Sequence, residues 1–200
     1  MLVRLFCVVG LVFGSQMIHA DDWGAIEQEA RGQTVYFYAW GGSPSINRYI
    51  DDWAKIAKER YALDVEHVKV DDISLAIQGI QTAKRVGQAS EGSVDVLWIN
   101  GENFARMKRH DLLGAPFVAM LPSAANINLD DPTIAADFSV STDGLEAPWG
   151  RAQLVLMYDQ ARIANPPNSM SALLQYAIEH PGRISYPEPP NFHGTTFLKQ

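Results

Sequence analysis

The sequence predicts an α/β protein with a parallel sheet and helices on the faces of that sheet. Three short apolar runs, rich in β-forming residues, begin near positions 34, 63 and 94. Between them, apolar residues recur at three- and four-residue steps, the period of an amphipathic helix. A spacing of roughly 30 residues is that of a βαβ unit, and such alternation is typical of a parallel sheet.

The first strand and helix have clear boundaries. Residues 34–40 are almost continuously apolar, which predicts a strand covered on both faces. Gly41-Gly42 ends the strand, and Ser43 is placed to cap a helix. Pro44 suits the first turn of that helix, which we expect to continue to about Tyr61.

The next two units repeat the pattern. Residues 63–70 predict a second strand. Its alternation of apolar and polar residues changes phase between Glu66 and His67, which suits a bulge or a less covered position. Asp71-Asp72 can cap the following helix. Residues 94–100 predict the third strand, and residues 101–104 open the helix that follows it.

The rest of the chain shows weaker patterns, which we interpret as short elements. The predicted elements are a lead-in helix over 22–31, a turn over 87–92, short helices and turns from 112 to 143 with a strand at 138–140, a helix from Ser169 or Ser171 to His180, a strand over 183–186 and a helix beginning at Thr195.

The pattern changes within residues 144–159. The first half of this stretch is rich in glycine and proline, and residues 154–158 form a short apolar run that fits a buried strand. We interpret residues 146–153 as a crossing between two lobes, with Trp149 at the seam. An ordinary loop and buried strand inside one domain would have the same composition.

Charge and the amino terminus limit the functional classes. The 200-residue chain has a formal net charge of −7, and its basic residues are scattered, which argues against nucleic acid or anionic lipid as a partner.

Residues 1–20 predict a signal peptide: Arg4 precedes an apolar run too short to span a bilayer, and cleavage is expected after Ala20. Cys7 is the only cysteine and lies in this leader, so no disulfide or cysteine metal site is expected in an exported, periplasmic product.

Candidate binding residues follow the predicted strands, because ligands of open parallel sheets bind beyond the carboxyl ends of the strands. Trp40 could stack on a planar or cationic group, the glycines allow close approach, and Glu102 could oppose a positive charge. Each residue also has a purely structural explanation. Trp40 could be a core side chain, the two glycines could form a tight turn, and Glu102 favours a helix start without any ligand. The candidates are Trp40, Gly41, Gly42, Ser43, Asn100, Glu102 and Asn103, with Trp149, Tyr158, Phe192, Thr195 and Thr196 in the later part.

Enzymatic patterns are absent from the sequence. Residues 41–45 lack the second glycine of a nucleophile elbow, and there is no Walker loop or dinucleotide fingerprint. The histidines are far apart, and the carboxylate pairs lie where helix caps are expected. We therefore predict no catalytic residue, no metal site and no cofactor within this chain.

Four segments resemble the extracellular solute-binding proteins of bacterial ABC importers. They are residues 36–42, 94–104, 147–159 and 186–200. Three of them, all but 147–159, are similar to a poorly characterised subgroup related to the binding proteins for iron, thiamine and polyamines.

The resemblance implies a monomeric, type II periplasmic binding protein with two lobes. Residues 21–145 would form lobe one, 146–153 the crossing and 154–200 the start of lobe two. Such proteins close on a small solute in the inter-lobe cleft and deliver it to a membrane permease. Family members are longer, so we expect this sequence to be a fragment.

The solute class stays open at this point. The aromatic residues Tyr38, Trp40, Trp149 and Tyr158, together with the acidic charge, favour a cationic or planar solute. Backbone N–H groups near Gly42 and Thr195 would suit an anion instead. The alternatives to a binding protein are an exported hydrolase or transferase with catalytic residues beyond Gln200, and a structural or interaction protein.

Overall fold

The computed structural model divides the chain into two compact units, Met1–Ala147 and Pro148–Gln200. Their boundary falls within residues 146–153, and the assignment of the units to two lobes stays a prediction. The predicted signal peptide, most of the predicted turn at 87–92 and the end of the predicted crossing lie outside the described residues. The structure describes residues 23–87, 93–150, 154–188 and 191–199.

The first unit contains the predicted parallel sheet, which confirms the α/β class. Its strands are β1 (Thr34–Trp40), β2 (Asp64–Val70) and β3 (Val96–Leu97), in the order β2-β1-β3. Strands β1 and β2 pair in parallel along their whole length, and β3 pairs in parallel with the middle of β1. The carboxyl ends of all three strands therefore lie at one edge, called here the carboxyl edge.

Two strand predictions are corrected. The register between β1 and β2 is continuous, so there is no bulge at His67. The imidazole instead stacks on the Phe37 ring at a centroid distance of 6.2 Å. Strand β3 is also shorter than residues 94–100, since only Val96–Leu97 form it. Just before the strand, the Asp95 carboxylate accepts a hydrogen bond from the Tyr36 N–H at 2.8 Å.

The first unit also contains four helices of eight or more residues among its described residues, and two of them have the expected caps. The Ser43 hydroxyl accepts a hydrogen bond from Ile46 N at 3.4 Å, and the Asp72 carboxylate accepts one from Ser74 N at 2.9 Å. Both caps satisfy backbone donors that have no partner inside the helix. The helices are α1 (Trp23–Ala30), α2 (Pro44–Tyr61), α3 (Ile73–Arg85) and α4 (Glu102–Arg109).

The core of the first unit forms where helix stripes meet one face of the sheet. Phe37 and Ala39 of β1 are buried with Ile50 of α2. The second face of β1 is covered only in part, since Tyr38 is half-buried there while Tyr36 and Trp40 are 43% and 47% exposed. The alternation of a strand puts these two side chains on the face opposite Phe37.

The segment after α4 contains short elements, as expected. Residues 138–140 do not form one strand: Phe138 and Ser139, both with positive φ, form the tip of a hairpin between β4 and β5. The elements are two 3-10 helices (Val118–Met120 and Pro122–Asn126), α5 (Pro132–Ala135), β4 (Ala136–Asp137) and β5 (Val140–Ser141).

The second unit contains helices α6 (Met170–Glu179) and α7 (Phe192–Leu198). The predicted strands at 154–158 and 183–186 are wrong, since neither segment is a strand. The first is also exposed rather than buried, with Met157 94% accessible. An apolar run becomes a buried strand only when neighbouring strands pair with it, and the described part of this unit supplies none.

No helix in the described part of the chain combines the length and the apolar character needed to cross a bilayer.

Candidate functional site

Trp40 and the two glycines after it form the first part of the carboxyl edge. The indole lies against Gly42, where a Cβ would overlap its ring atoms. A Cβ at Gly41 would lie 2.7 Å from Lys69 Cβ on β2. Glycine at both positions therefore lets the chain pass close to its neighbours while half of the Trp40 surface stays exposed.

Asn47 fixes this turn, although the sequence did not single it out. Its Nδ2 donates to the Gly41 carbonyl at 2.8 Å, one turn into helix α2. The Ser43 hydroxyl, besides capping α2, lies 3.0 Å from the Ser45 hydroxyl. A polar residue on the first turn of a helix gives no functional signal by itself, because solvated faces carry such residues routinely.

The loop between β3 and α4 forms the second part of the carboxyl edge. Gly101 is buried and has φ +56° and ψ −122°, a conformation that favours glycine. Gly101 directly precedes α4, so Asn100, Glu102 and Asn103 follow the end of strand β3. Strand β3 is the neighbour of β1 in the sheet. The structure thus puts this group and the Trp40 group on adjacent strands, and ligand contact by either stays a prediction.

Asp137 joins this loop from the β4–β5 hairpin, a contact that sequence reasoning missed. The Gly101 N–H donates to the Asp137 carboxylate. The Phe138 ring covers the same glycine, since a Cβ there would lie 3.2 Å from Phe138 Cδ2. No local pattern connects residues 36 positions apart, so only the tertiary fold reveals this pair.

Glu146 adds a second carboxyl group near Asp137. Burial, and to a smaller extent the charge of Asp137, raises the pKa of Glu146 to about 7. A neutral Glu146 is therefore well populated near pH 7. Sequence reasoning placed this residue in the crossing and assigned it no role.

The remaining candidate residues belong to the second unit. Trp149 and Tyr158 are 50% and 51% exposed. Phe192 begins α7, with Thr195 and Thr196 half-buried within it. Gly194 packs tightly on the chain before this helix, where a Cβ would overlap the Pro187 carbonyl. Their placement in a site shared with Trp40 stays a prediction.

Among the described residues, no group of three or more histidine, aspartate and glutamate side chains is arranged to hold a metal ion.

An α/β unit with an exposed tryptophan and polar loops at one sheet edge is suited to binding. The family model for the bacterial extracellular solute-binding protein matches residues 53–200. The chain belongs to this family, whose members bind solutes and are not enzymes. The sequence resemblance to solute-binding proteins is thereby confirmed.

The chain is also similar to Protein YnjB of Escherichia coli (strain K12). The two are 43% identical over 182 residues, which cover 91% of this chain and 47% of that protein. The chain thus spans about half the length of this curated relative.

Proposed function

We propose that this chain is part of the periplasmic substrate-binding component of an ABC importer, exported by its amino-terminal leader. Its solute would bind in a cleft between two lobes and pass to a membrane permease. The main support for this proposal is that the chain belongs to the family of bacterial extracellular solute-binding proteins. The exposed Trp40 and the β3–α4 loop, on adjacent strands of the carboxyl edge, support a binding surface there.

We further propose a cationic or planar organic solute. The Gly101 N–H, directly before α4, already donates to the Asp137 carboxylate, so a negative charge of the protein lies near the helix start that would otherwise attract an anion. Glu102 lies in the first turn of the same helix, and the whole chain is acidic. The exposed half of Trp40 gives such a solute an aromatic surface on which to stack.

A binding screen tests the proposal with the full-length product of the gene. Diamines, quaternary ammonium compounds and aromatic cations form one set, and dicarboxylates and sugar phosphates form the other. Thermal shift identifies hits, and calorimetry then measures their affinity and confirms the absence of turnover. Saturable binding of a compound from the first set supports the proposal. Binding only of compounds from the second set would mean that the solute is an anion. If no compound of either set binds, the result counts against the solute-binding function.

Trp40→Ala tests the location of the site. If the indole stacks on the solute, binding weakens by about 1–2 kcal/mol while the fold is retained. Trp53→Ala is a matched control, because Trp53 is similarly exposed at 45% but lies on α2, where it packs edge-on to Phe37. Equal affinity loss in both variants, or unfolding of the Trp40 variant alone, would contradict the assignment.

A further inference from the structure

The turn after strand β1 is held from two sides. The Gly41 N–H donates to the Val70 carbonyl at the end of β2, at 3.0 Å. The Gly41 carbonyl accepts the hydrogen bond from Asn47 Nδ2 at 2.8 Å. The sheet thus holds one polar group of this glycine and helix α2 holds the other. These two bonds set the direction in which the chain leaves β1.

The position of the Trp40 indole depends on this turn. One edge of the ring lies against Gly42, where a Cβ would be 2.8 Å from the indole Nε1. The side chain is still 47% exposed, so the Gly42 backbone supports one edge of the ring while other parts of it face solvent. A shift of the Gly41-Gly42 backbone would therefore move the aromatic surface.

The side chain of Asn47 stabilises the turn rather than the helix that carries it. The Asn47 N–H already donates to the Ser43 carbonyl at 2.9 Å, in the first turn of α2. Its side-chain Oδ1 is buried and accepts no hydrogen bond from any described residue. A buried acceptor without a partner lowers stability, so an apolar side chain of the same shape would suit α2 at least as well.

We propose that Asn47 is a positioning residue of the solute site. Its bond to the Gly41 carbonyl fixes the turn that supports the Trp40 indole, so the aromatic surface is in place before a solute binds. Such preorganisation raises affinity, because the site need not be ordered during binding. The inference rests on the proposed function for its solute, whereas the position of the indole is measurable without one.

Asn47→Leu in the full-length product of the gene tests the positioning. Leucine has a similar shape and lacks both the donor and the unpaired acceptor, so it should release the turn without lowering the melting temperature. In the wild type, nuclear Overhauser effects should connect the indole protons of Trp40 with the Hα protons of Gly42. In the variant these effects should weaken, and the ¹⁵N order parameter of the Gly42 amide should fall.

Benzyltrimethylammonium is the solute probe, because it is both aromatic and cationic. Calorimetry should show that Asn47→Leu binds it about three- to tenfold more weakly than the wild type does. Gln33→Met is the matched control: Gln33 Nε2 donates to the Glu29 carbonyl at 2.7 Å, the same kind of bond, and Gln33 precedes the opposite end of β1. Its loss should leave the Trp40–Gly42 contacts and the affinity unchanged.

Three results would overturn the proposal. They are unchanged Trp40–Gly42 contacts in Asn47→Leu, altered contacts without any loss of affinity, and equal losses of affinity in Asn47→Leu and Gln33→Met. If the wild type does not bind the probe, the proposed solute class fails, while the indole contacts still decide the positioning. The two failures are therefore distinguishable.

Asn47→Asp decides the question if Asn47→Leu fails to fold. A carboxylate cannot donate to the Gly41 carbonyl, whereas a protonated carboxyl group can. The Trp40–Gly42 contacts of this variant should therefore be weak at neutral pH and recover as the introduced carboxyl group is protonated. Contacts that match the wild type at every pH would refute the positioning role.

Discussion

Glu146→Gln should remove a pH dependence from the stability of the first unit. The pKa of Glu146 is about 7 in the folded protein, raised from 4.5 chiefly by burial and also by Asp137. The folded chain therefore retains this proton between those two values, where the unfolded chain has lost it. Stability supported by the neutral carboxyl group is complete below pH 4.5 and is lost as the pH rises through about 7.

The size of the effect follows from the pKa difference. At about 1.4 kcal/mol per pKa unit, the full difference corresponds to an upper limit of about 3 kcal/mol. Glu146 is only half-buried, and solvent screening reduces its coupling to Asp137, so we expect a loss of about 1–2 kcal/mol between pH 4.5 and pH 8. Glutamine has nearly the same shape and no titration, so the variant should be the more stable protein at pH 8.

Urea unfolding at a series of pH values measures the effect, with the methyl signals of the buried Ile50 and Ile77 as probes of the first unit. The difference between variant and wild type cancels the titration of all other groups. Glu59→Gln, at an exposed position on α2, controls for the loss of one charge. A difference that stays flat from pH 4.5 to pH 8, or a carboxyl ¹³C titration of Glu146 with a midpoint near 4.5, would refute the reasoning.

Two further substitutions test local features of the first unit. Ala62 ends α2 with φ 53°, so Ala62→Gly should raise the free energy of unfolding by about 0.5–1 kcal/mol; a lower melting temperature would contradict this. Gly42→Ala adds a Cβ that overlaps the Trp40 indole. The ring should move, seen as a changed tryptophan emission spectrum with little change in melting temperature, and an unchanged spectrum would contradict the contact.

Local sequence signals were sufficient to predict the bounds of several elements of the first unit. Strand β1 and helix α2 have the predicted bounds, because an apolar run, a glycine pair, a serine cap and a proline all lie within one short stretch. Asp72 caps α3 for the same reason. Helix α6 also has nearly the predicted limits, since its Ser169 cap is a local feature.

The predictions that failed depend on residues distant in sequence. Strand β3 begins only at Val96, after Asp95, whose side chain accepts a hydrogen bond from Tyr36 of another strand. Residues 154–158 have the composition of a buried strand, but their burial requires pairing partners that composition cannot guarantee. The proposed solute site is known in part. The strand order puts Trp40 and the β3–α4 loop on adjacent strands, whereas a contact of Trp40 with Trp149 or Tyr158 is untested.

The sequence by itself determined the α/β class, the order of the main elements and the resemblance to solute-binding proteins. These properties follow from periodicity, turn residues and caps, which act over a few neighbouring positions. Only the tertiary structure placed Asp137 on Gly101 and raised the pKa of Glu146. Hydrogen bonding and desolvation depend on which distant residues the fold brings together, and local sequence patterns do not report them.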